Sequence, residues 1–313
     1  MAITVSPLDG TAFGAAVEGV APLDLNAAEK KRIHDAYLAA KGLLTFPFDR
    51  MLNADELHAL TAVFGANEFA PGQINGVGKK AKPGDEALSV KAQVAAIRAR
   101  GDDPFMAYIG NVEPRTGAVR TNVNQKFFGE WEWHTDMSYI PVPPTFSLLH
   151  ARIVPDSGGD TGFCNQVMAA SSLPEALRER ILPLRLKHDS TYGSSGMIRP
   201  GMTEPASPVE AEGHAHPILR EIPGTGKQAL FLGRRTNAYI MGLPLNESEA
   251  LVNELWAHAT QPAFCYQHRW TEGEVVVWDN RMLLHMRTPM APEKTRFMWR
   301  TQTRGESVVP VTA

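Results

Sequence analysis

The chain has 313 residues, 43% of them hydrophobic, which is enough to bury a large core in one elaborated domain spanning 1–313. Its 31 Lys+Arg against 34 Asp+Glu leave a net charge near −3 with no long run of either sign, which disfavours nucleic acid and points to small-molecule partners. The start lacks a basic region followed by an apolar stretch, nowhere do roughly eighteen apolar residues run uninterrupted, and Cys164 and Cys265 are too few for a disulfide framework, so a soluble cytoplasmic protein without a membrane anchor is expected.

After a strand-like beginning, Asn26-Ala-Ala-Glu29 reads as a capped helix start, and the helix should run to about Gly42, where glycine suits a left-handed stop. Leu43-Leu-Thr-Phe46 reads as a buried strand, and Asn53 caps a second helix ending near Phe64-Gly65. Gly, Lys and Pro between Gly76 and Asp85 predict an exposed loop, followed by an amphipathic helix over Ser89–Arg98 with Val90, Val94 and Ile97 at i, i+4 and i+7. The stretch 70–110 as a whole is read as an insertion, either a lid over a site or a solvated surface excursion.

Short β-like runs dominate 130–165 and 215–305, among them Phe146-Ser-Leu-Leu149, Gln228-Ala-Leu-Phe-Leu232 and Glu274-Val-Val-Val-Trp278. Two helices should interrupt them, one from Ser172 with Pro174 close behind, the other from Asn246 and covering Glu249 to His258. Many short strands with turn signals predict an α/β chain with a mostly β core, a jelly-roll barrel flanked by helices.

The chemistry begins at Trp133-His134-Thr135-Asp136. In a strand, residues i and i+2 share a face, so His134 and Asp136 can converge on one metal ion. They are two thirds of a facial triad, whose third member is another imidazole and which leaves three coordination positions open, as in non-haem Fe(II) oxygenases. Val277-Trp-Asp-Asn-Arg-Met-Leu-Leu-His285 supplies a histidine just after an apolar strand, with Arg296 eleven residues later and Arg300 four beyond that. Within Arg296-Phe-Met-Trp-Arg300, the arginines and Met298 share one face and Phe297 and Trp299 the other. Charge repeated inside so apolar a strand suggests an interior lined for anions. At roughly 3.3 Å per residue Arg296 and Arg300 sit about 13 Å apart at Cα, too far to be assumed to grip one carboxylate, so they suit two different anions.

Together these residues closely resemble the taurine and 2,4-dichlorophenoxyacetate dioxygenase family of Fe(II)/2-oxoglutarate enzymes. The resemblance runs from Pro7-Leu8 and Phe13–Val20 through Phe64-Gly65, His134-Thr-Asp136 and Gly158-Gly-Asp-Thr161 to Trp278-Asp-Asn-Arg281, His285, Arg296 and Arg300. It implies a double-stranded β-helix in which His134, Asp136 and His285 bind iron, while Thr161 and Arg296 hold the distal carboxylate of 2-oxoglutarate. It also implies O₂-dependent hydroxylation of a substrate C–H bond, with 2-oxoglutarate leaving as succinate and CO₂, and a homo-oligomer, dimer or tetramer. Retention of Asp136 favours hydroxylation over halogenation.

The pattern departs in two places. No histidine occurs near Glu68 to Ala70, where the taurine enzyme places a sulfonate-binding histidine, which argues against taurine itself. Leu232-Gly-Arg-Arg-Thr-Asn237 replaces the usual valine-asparagine pair, so Arg234 or Arg235 joins Arg300 as a candidate anion contact, or forms a solvated loop pair. The expected substrate is a small to medium organic acid, with alkyl sulfate or sulfonate cleavage as the alternative and a non-catalytic acid-binding barrel as the reading from another class. Tyr192–Pro200 matches the region that forms a pocket wall or lid in the family; its glycines suit a mobile segment, and an ordinary surface loop is equally allowed. His214-Ala-His216 is a rival metal site without a carboxylate at ligand spacing.

Overall fold

A computed structural model describes residues 2–71, 89–120 and 123–312. Its centre is two facing sheets, antiparallel but for the parallel pairing of Ala15–Glu18 with Leu43–Phe46. The larger holds seven strands in the order Thr4–Pro7, Ala15–Glu18, Leu43–Phe46, Val275–Asp279, Phe146–Ile153, Phe297–Gln302 and Ala107–Gly110. The smaller holds Cys265–His268, Thr161–Asn165, Leu283–Arg287 and Trp131–His134. Side chains of the two meet in one apolar core, where Phe163 packs on Trp278 at 5.6 Å between ring centres. Val275, Val276, Val277 and Trp278 are all buried, consistent with a continuous apolar strand covered on both faces. Two further three-stranded sheets, centred on Arg185–Asp189 and Leu219–Ile222, extend the barrel, as a jelly roll with flanking elements requires.

The helix boundaries follow their caps. Asn26 accepts from the backbone of Ala28 and Glu29 while Glu29 accepts from the Asn26 N–H, a reciprocal pair that starts Ala27–Ala39. This helix stops before the expected Gly42, because Lys41 (φ 55°) and Gly42 (φ 101°) both turn left-handed to enter the Leu43–Phe46 strand. Asn53 and Glu56 repeat the box at Ala54–Phe64. Val90–Ala99 and Leu245–Ala259 form where periodicity predicts them.

Two expectations are corrected. Ser172 ends a helix, Gln166–Ser171, that Asn165 caps directly after its own strand; the next helix is Glu175–Ile181, with Pro174 at its cap. A six-residue helix carries too little periodicity to register. The expected exposed loop at Gly76–Asp85 lies outside the described residues, and the far end of the 70–110 stretch, Ala107–Gly110, is an edge strand of the large sheet pairing with Phe297–Arg300. Among the described residues no helix is long and apolar enough to cross a membrane.

Three histidines away from the triad are fully buried. Burial, with Arg152 nearby, pushes His150 down to about 4; burial and His214 do the same to His216, and His188 falls well below its ordinary value. Neutral in the fold but ordinary in the unfolded chain, each contributes stability present above pH 6.5 and lost as pH falls toward 4, at about 1.4 kcal/mol per pH unit. The melting temperature of the metal-free chain is therefore expected to drop between pH 6.5 and 5, where carboxylates titrate little, and His216→Gln to flatten that drop. A pH-independent melt in this window would contradict the assignment.

Candidate metal centre and active site

His134 is the last residue of its strand, and Asp136 lies just beyond it at the start of a turn that continues through Met137 at φ 48°. The two ligand candidates are thus not on one continuous strand, as the i, i+2 argument assumed. A backbone bond from Thr135 N to Gly233 O, 2.9 Å, holds the departing chain in place. His285 stands in the middle of Leu283–Arg287, directly opposite His134 in register, with the imidazole centres 4.0 Å apart. One donor atom from each of His134, Asp136 and His285 lies within 4.8 Å of the others, and all three residues are buried.

Their surroundings prepare them for a cation. The His134 Nδ1–H donates to the Glu132 carbonyl at 2.8 Å, which leaves Nε2 as the ligand atom. His285 Nε2 faces Asp136 Oδ1 at 3.9 Å, and its ring packs on Trp278. Asp136 Oδ2 accepts from Ser147 Oγ (2.8 Å) and Gln302 Nε2 (3.1 Å), while Arg300 donates to Oδ1 at 3.2 Å. Asn280 of the Trp-Asp-Asn-Arg run donates to the same Ser147 hydroxyl and accepts from Trp278, so that motif braces the carboxylate from behind. Burial alone would raise the Asp136 carboxyl, but Arg300, His285, His134 and the Ser147 bond together hold it below the usual carboxylate range. Burial pushes His285 down to about 4 and, with the charges of His285 and Arg234, pushes His134 well below 6.5. An ionised carboxylate and two neutral imidazoles at neutral pH are the donor set Fe(II) requires.

Arg296 and Thr161, expected to receive a carboxylate, both border the short backbone stretch from Gly159 to Thr161. Arg296 precedes the Phe297–Gln302 strand and is 2% exposed; its backbone N–H donates to Asn111 Oδ1 and its Nε to the Gly159 carbonyl, 3.0 Å. Gly159 adopts φ +72°, and a Cβ there would stand 3.1 Å from Arg296 Cδ, so the glycine lets the arginine cross the backbone closely. Thr161 Oγ1 accepts from Trp270 Nε1–H at 3.0 Å, which frees its own hydroxyl hydrogen to donate. Burial and the charge of Arg287 lower Arg296 to about 9, which still leaves it cationic at neutral pH.

A cavity of about 260 Å³ opens onto His134 and Asp136, lined also by Tyr139, Ser194, Arg199, Arg234 and Arg300. A larger cleft of about 420 Å³ beside Tyr37 and Arg304 touches none of the triad and is not the chemical site. Arg300 has a buried Nε without a partner and a partly exposed side chain. Arg234 reaches the cavity wall but is tied to Glu132, the Tyr192 carbonyl and Ser194 Oγ, clamping the Tyr192–Pro200 segment. Arg235 is not brought to the cavity: it bonds Glu249 and Asn253 on the Leu245–Ala259 helix. Arg199, stacked 3.8 Å over Tyr139, is an additional cation that no spacing rule singled out. The rival His214–His216 pair stacks with rings 4.6 Å apart, but the triad is the one ligand cluster of three among the described residues.

Comparison with known proteins identifies the family of the chain. The family model for taurine catabolism dioxygenase TauD, TfdA family, matches residues 4–302. An (S)-phenoxypropionate/alpha-ketoglutarate-dioxygenase of Sphingobium herbicidovorans is 32% identical over 97% of this chain and 96% of its own. An alpha-ketoglutarate-dependent sulfate ester dioxygenase of Pseudomonas putida is 32% identical over 57% of this chain and 60% of its own. The crystal structure of AAD-2 in complex with Mn(II) and N-oxalylglycine shares the fold at a TM-score of 0.74, with 24% identity and full coverage of both chains.

Proposed function

The chain belongs to the TauD, TfdA family and is an Fe(II)/2-oxoglutarate-dependent dioxygenase, and from that premise we propose that His134, Asp136 and His285 hold the iron while Arg296 and Thr161 receive the distal carboxylate of 2-oxoglutarate, in the hydroxylation of a small to medium organic acid. The observation that carries the assignment is the convergence of the three buried ligand atoms within 4.8 Å. The bound iron supplies O₂ activation coupled to loss of CO₂ from the keto acid. Atoms balance as substrate C–H plus O₂ plus 2-oxoglutarate giving C–OH, succinate and CO₂.

The chain's own residues do the positioning. The Glu132 carbonyl sets the His134 tautomer, and Ser147 and Gln302 hold Asp136 Oδ2 so that Oδ1, which faces His285 Nε2, would be the oxygen available to a metal. Arg296 and Thr161 offer a guanidinium and a hydroxyl to one carboxylate, which fixes the far end of the keto acid. Arg300 and Arg199 give the 260 Å³ cavity its cationic wall, and of the arginines that line it Arg300 is the one with both a free edge and a place beside the metal ligands.

Arg300→Ala is expected to raise the apparent KM for an acidic substrate roughly 10- to 100-fold, the worth of a charge-assisted bond, with a smaller change for 2-oxoglutarate. Unchanged substrate affinity would remove Arg300 from the substrate site. A second reading, oxidative cleavage of alkyl sulfates or sulfonates, uses the same cations and is supported by the sulfate ester relative. Succinate release across a panel of carboxylates, sulfates and sulfonates separates the two: sulfate or sulfite release would establish the second reading, and hydroxylated acid the first.

A further inference from the structure

We propose that Arg287 is a second guanidinium of the keto-acid subsite, so that the distal carboxylate of 2-oxoglutarate is received by Arg296, Thr161 and Arg287 together. This rests on the assignment of Arg296 and Thr161 made above. Arg287 follows His285 by two residues on the same strand and therefore projects to the same side of the smaller sheet as that ligand. Its register partner across the ladder is Thr161, which places the two Cβ atoms about 4.5–5.5 Å apart. The pairing continues past the strand: Thr288 N donates to Asp160 O at 3.0 Å and Gly159 N to Pro289 O at 3.1 Å. Because Gly159 O in turn holds Arg296 Nε, all three side chains border one short stretch of backbone, Gly159 to Thr161.

The partners of Arg287 leave its charge unanswered. It is 4% exposed, and one terminal nitrogen donates to the Phe127 and Gly129 carbonyls while the guanidinium lies against Trp131 (4.5 Å) and Phe127. Nε has no partner, and Nη1 meets the Met290 sulfur at 3.8 Å. Among the described residues no carboxylate forms an ion pair with it. A role confined to pinning the Phe127–Trp131 segment needs a donor and not a cation, and a buried cation without a counter-ion is costly. The carboxylate that enters with 2-oxoglutarate supplies that counter-charge to both arginines at once.

The test separates charge recognition from pinning. Arg287→Gln keeps a donor for the two carbonyls and removes the charge; Arg287→Lys restores the charge. Dissociation constants of the anaerobic Mn(II)-loaded chain are measured by calorimetry for 2-oxoglutarate and for 2-oxopentanoate, which carries a methyl where 2-oxoglutarate has its distal carboxylate. The expected result is a loss of about 10- to 100-fold for 2-oxoglutarate in Arg287→Gln, no change for 2-oxopentanoate, and partial recovery in Arg287→Lys. Equal weakening of both keto acids, or of neither, would overturn the proposal. If the unsubstituted chain itself binds the two alike, it is the Arg296 and Thr161 assignment that fails.

Discussion

Asp136→Ala is expected to lower Fe(II) affinity by more than about 100-fold, the upper end of what loss of an outer-sphere partner costs, and to bring succinate formation to background. The reason lies in what the carboxylate holds together. It supplies the negative charge of the triad and accepts from Ser147, Gln302 and Arg300, all of which lose their acceptor in the alanine variant. The Arg300 charge would then face the two imidazoles without compensation, opposing any divalent cation. Asp136→Asn keeps an oxygen and the shape but not the charge, so it should fold like the parent and still bind metal poorly. Metal titration by calorimetry and succinate analysis check both variants; an Asn variant with parental Fe(II) affinity would mean that charge is not what this residue contributes.

Arg296→Leu should leave metal binding intact and weaken 2-oxoglutarate on the order of 100- to 5,000-fold, since breaking a buried charge pair costs about 3–5 kcal/mol. Lysine should rescue poorly, because it cannot both reach the Gly159 carbonyl through a planar Nε–H and present a two-pronged edge to a carboxylate. The same buried charge gives the substitution an opposite sign in the empty protein. Without a keto acid, Arg296 is a guanidinium 2% exposed with burial and Arg287 both working against it, so Arg296→Leu is expected to leave the melting temperature unchanged or raised. Melts with and without 2-oxoglutarate check this: the parent should gain stability with the ligand by mass action and the variant should not.

Much of the site was legible because its chemistry is carried by side chains with sharp spacing. His134 and Asp136 stand out by their separation although Asp136 lies beyond the strand, and Arg296 and Arg300 by sharing a face although Arg296 precedes the strand; Phe297 and Trp299 do face Tyr108 together on the other side. What the sequence concealed depends on contacts between distant segments. Gln302 and Ser147 are ordinary polar residues until two strands of the large sheet bring them to Asp136. Arg235 was indistinguishable from Arg234 as a neighbour in sequence, yet Arg234 pairs with His134 and lines the cavity while Arg235, in the bend that follows, bonds a helix. Ala107–Gly110 is too short to display alternation, and its place in the sheet comes from its partner strand. Asn165 both closes a strand and caps a helix, so the chain changes element with no intervening turn signal.

The most direct measurement of the central claim is anaerobic addition of one equivalent of Fe(II), then 2-oxoglutarate, to chelator-treated protein, followed by visible absorption. A weak charge-transfer band that saturates at one iron and one keto acid per chain, and that His285→Ala abolishes, is the predicted result. No band, or a band of equal intensity in the His285 variant, would contradict an iron site built from His134, Asp136 and His285.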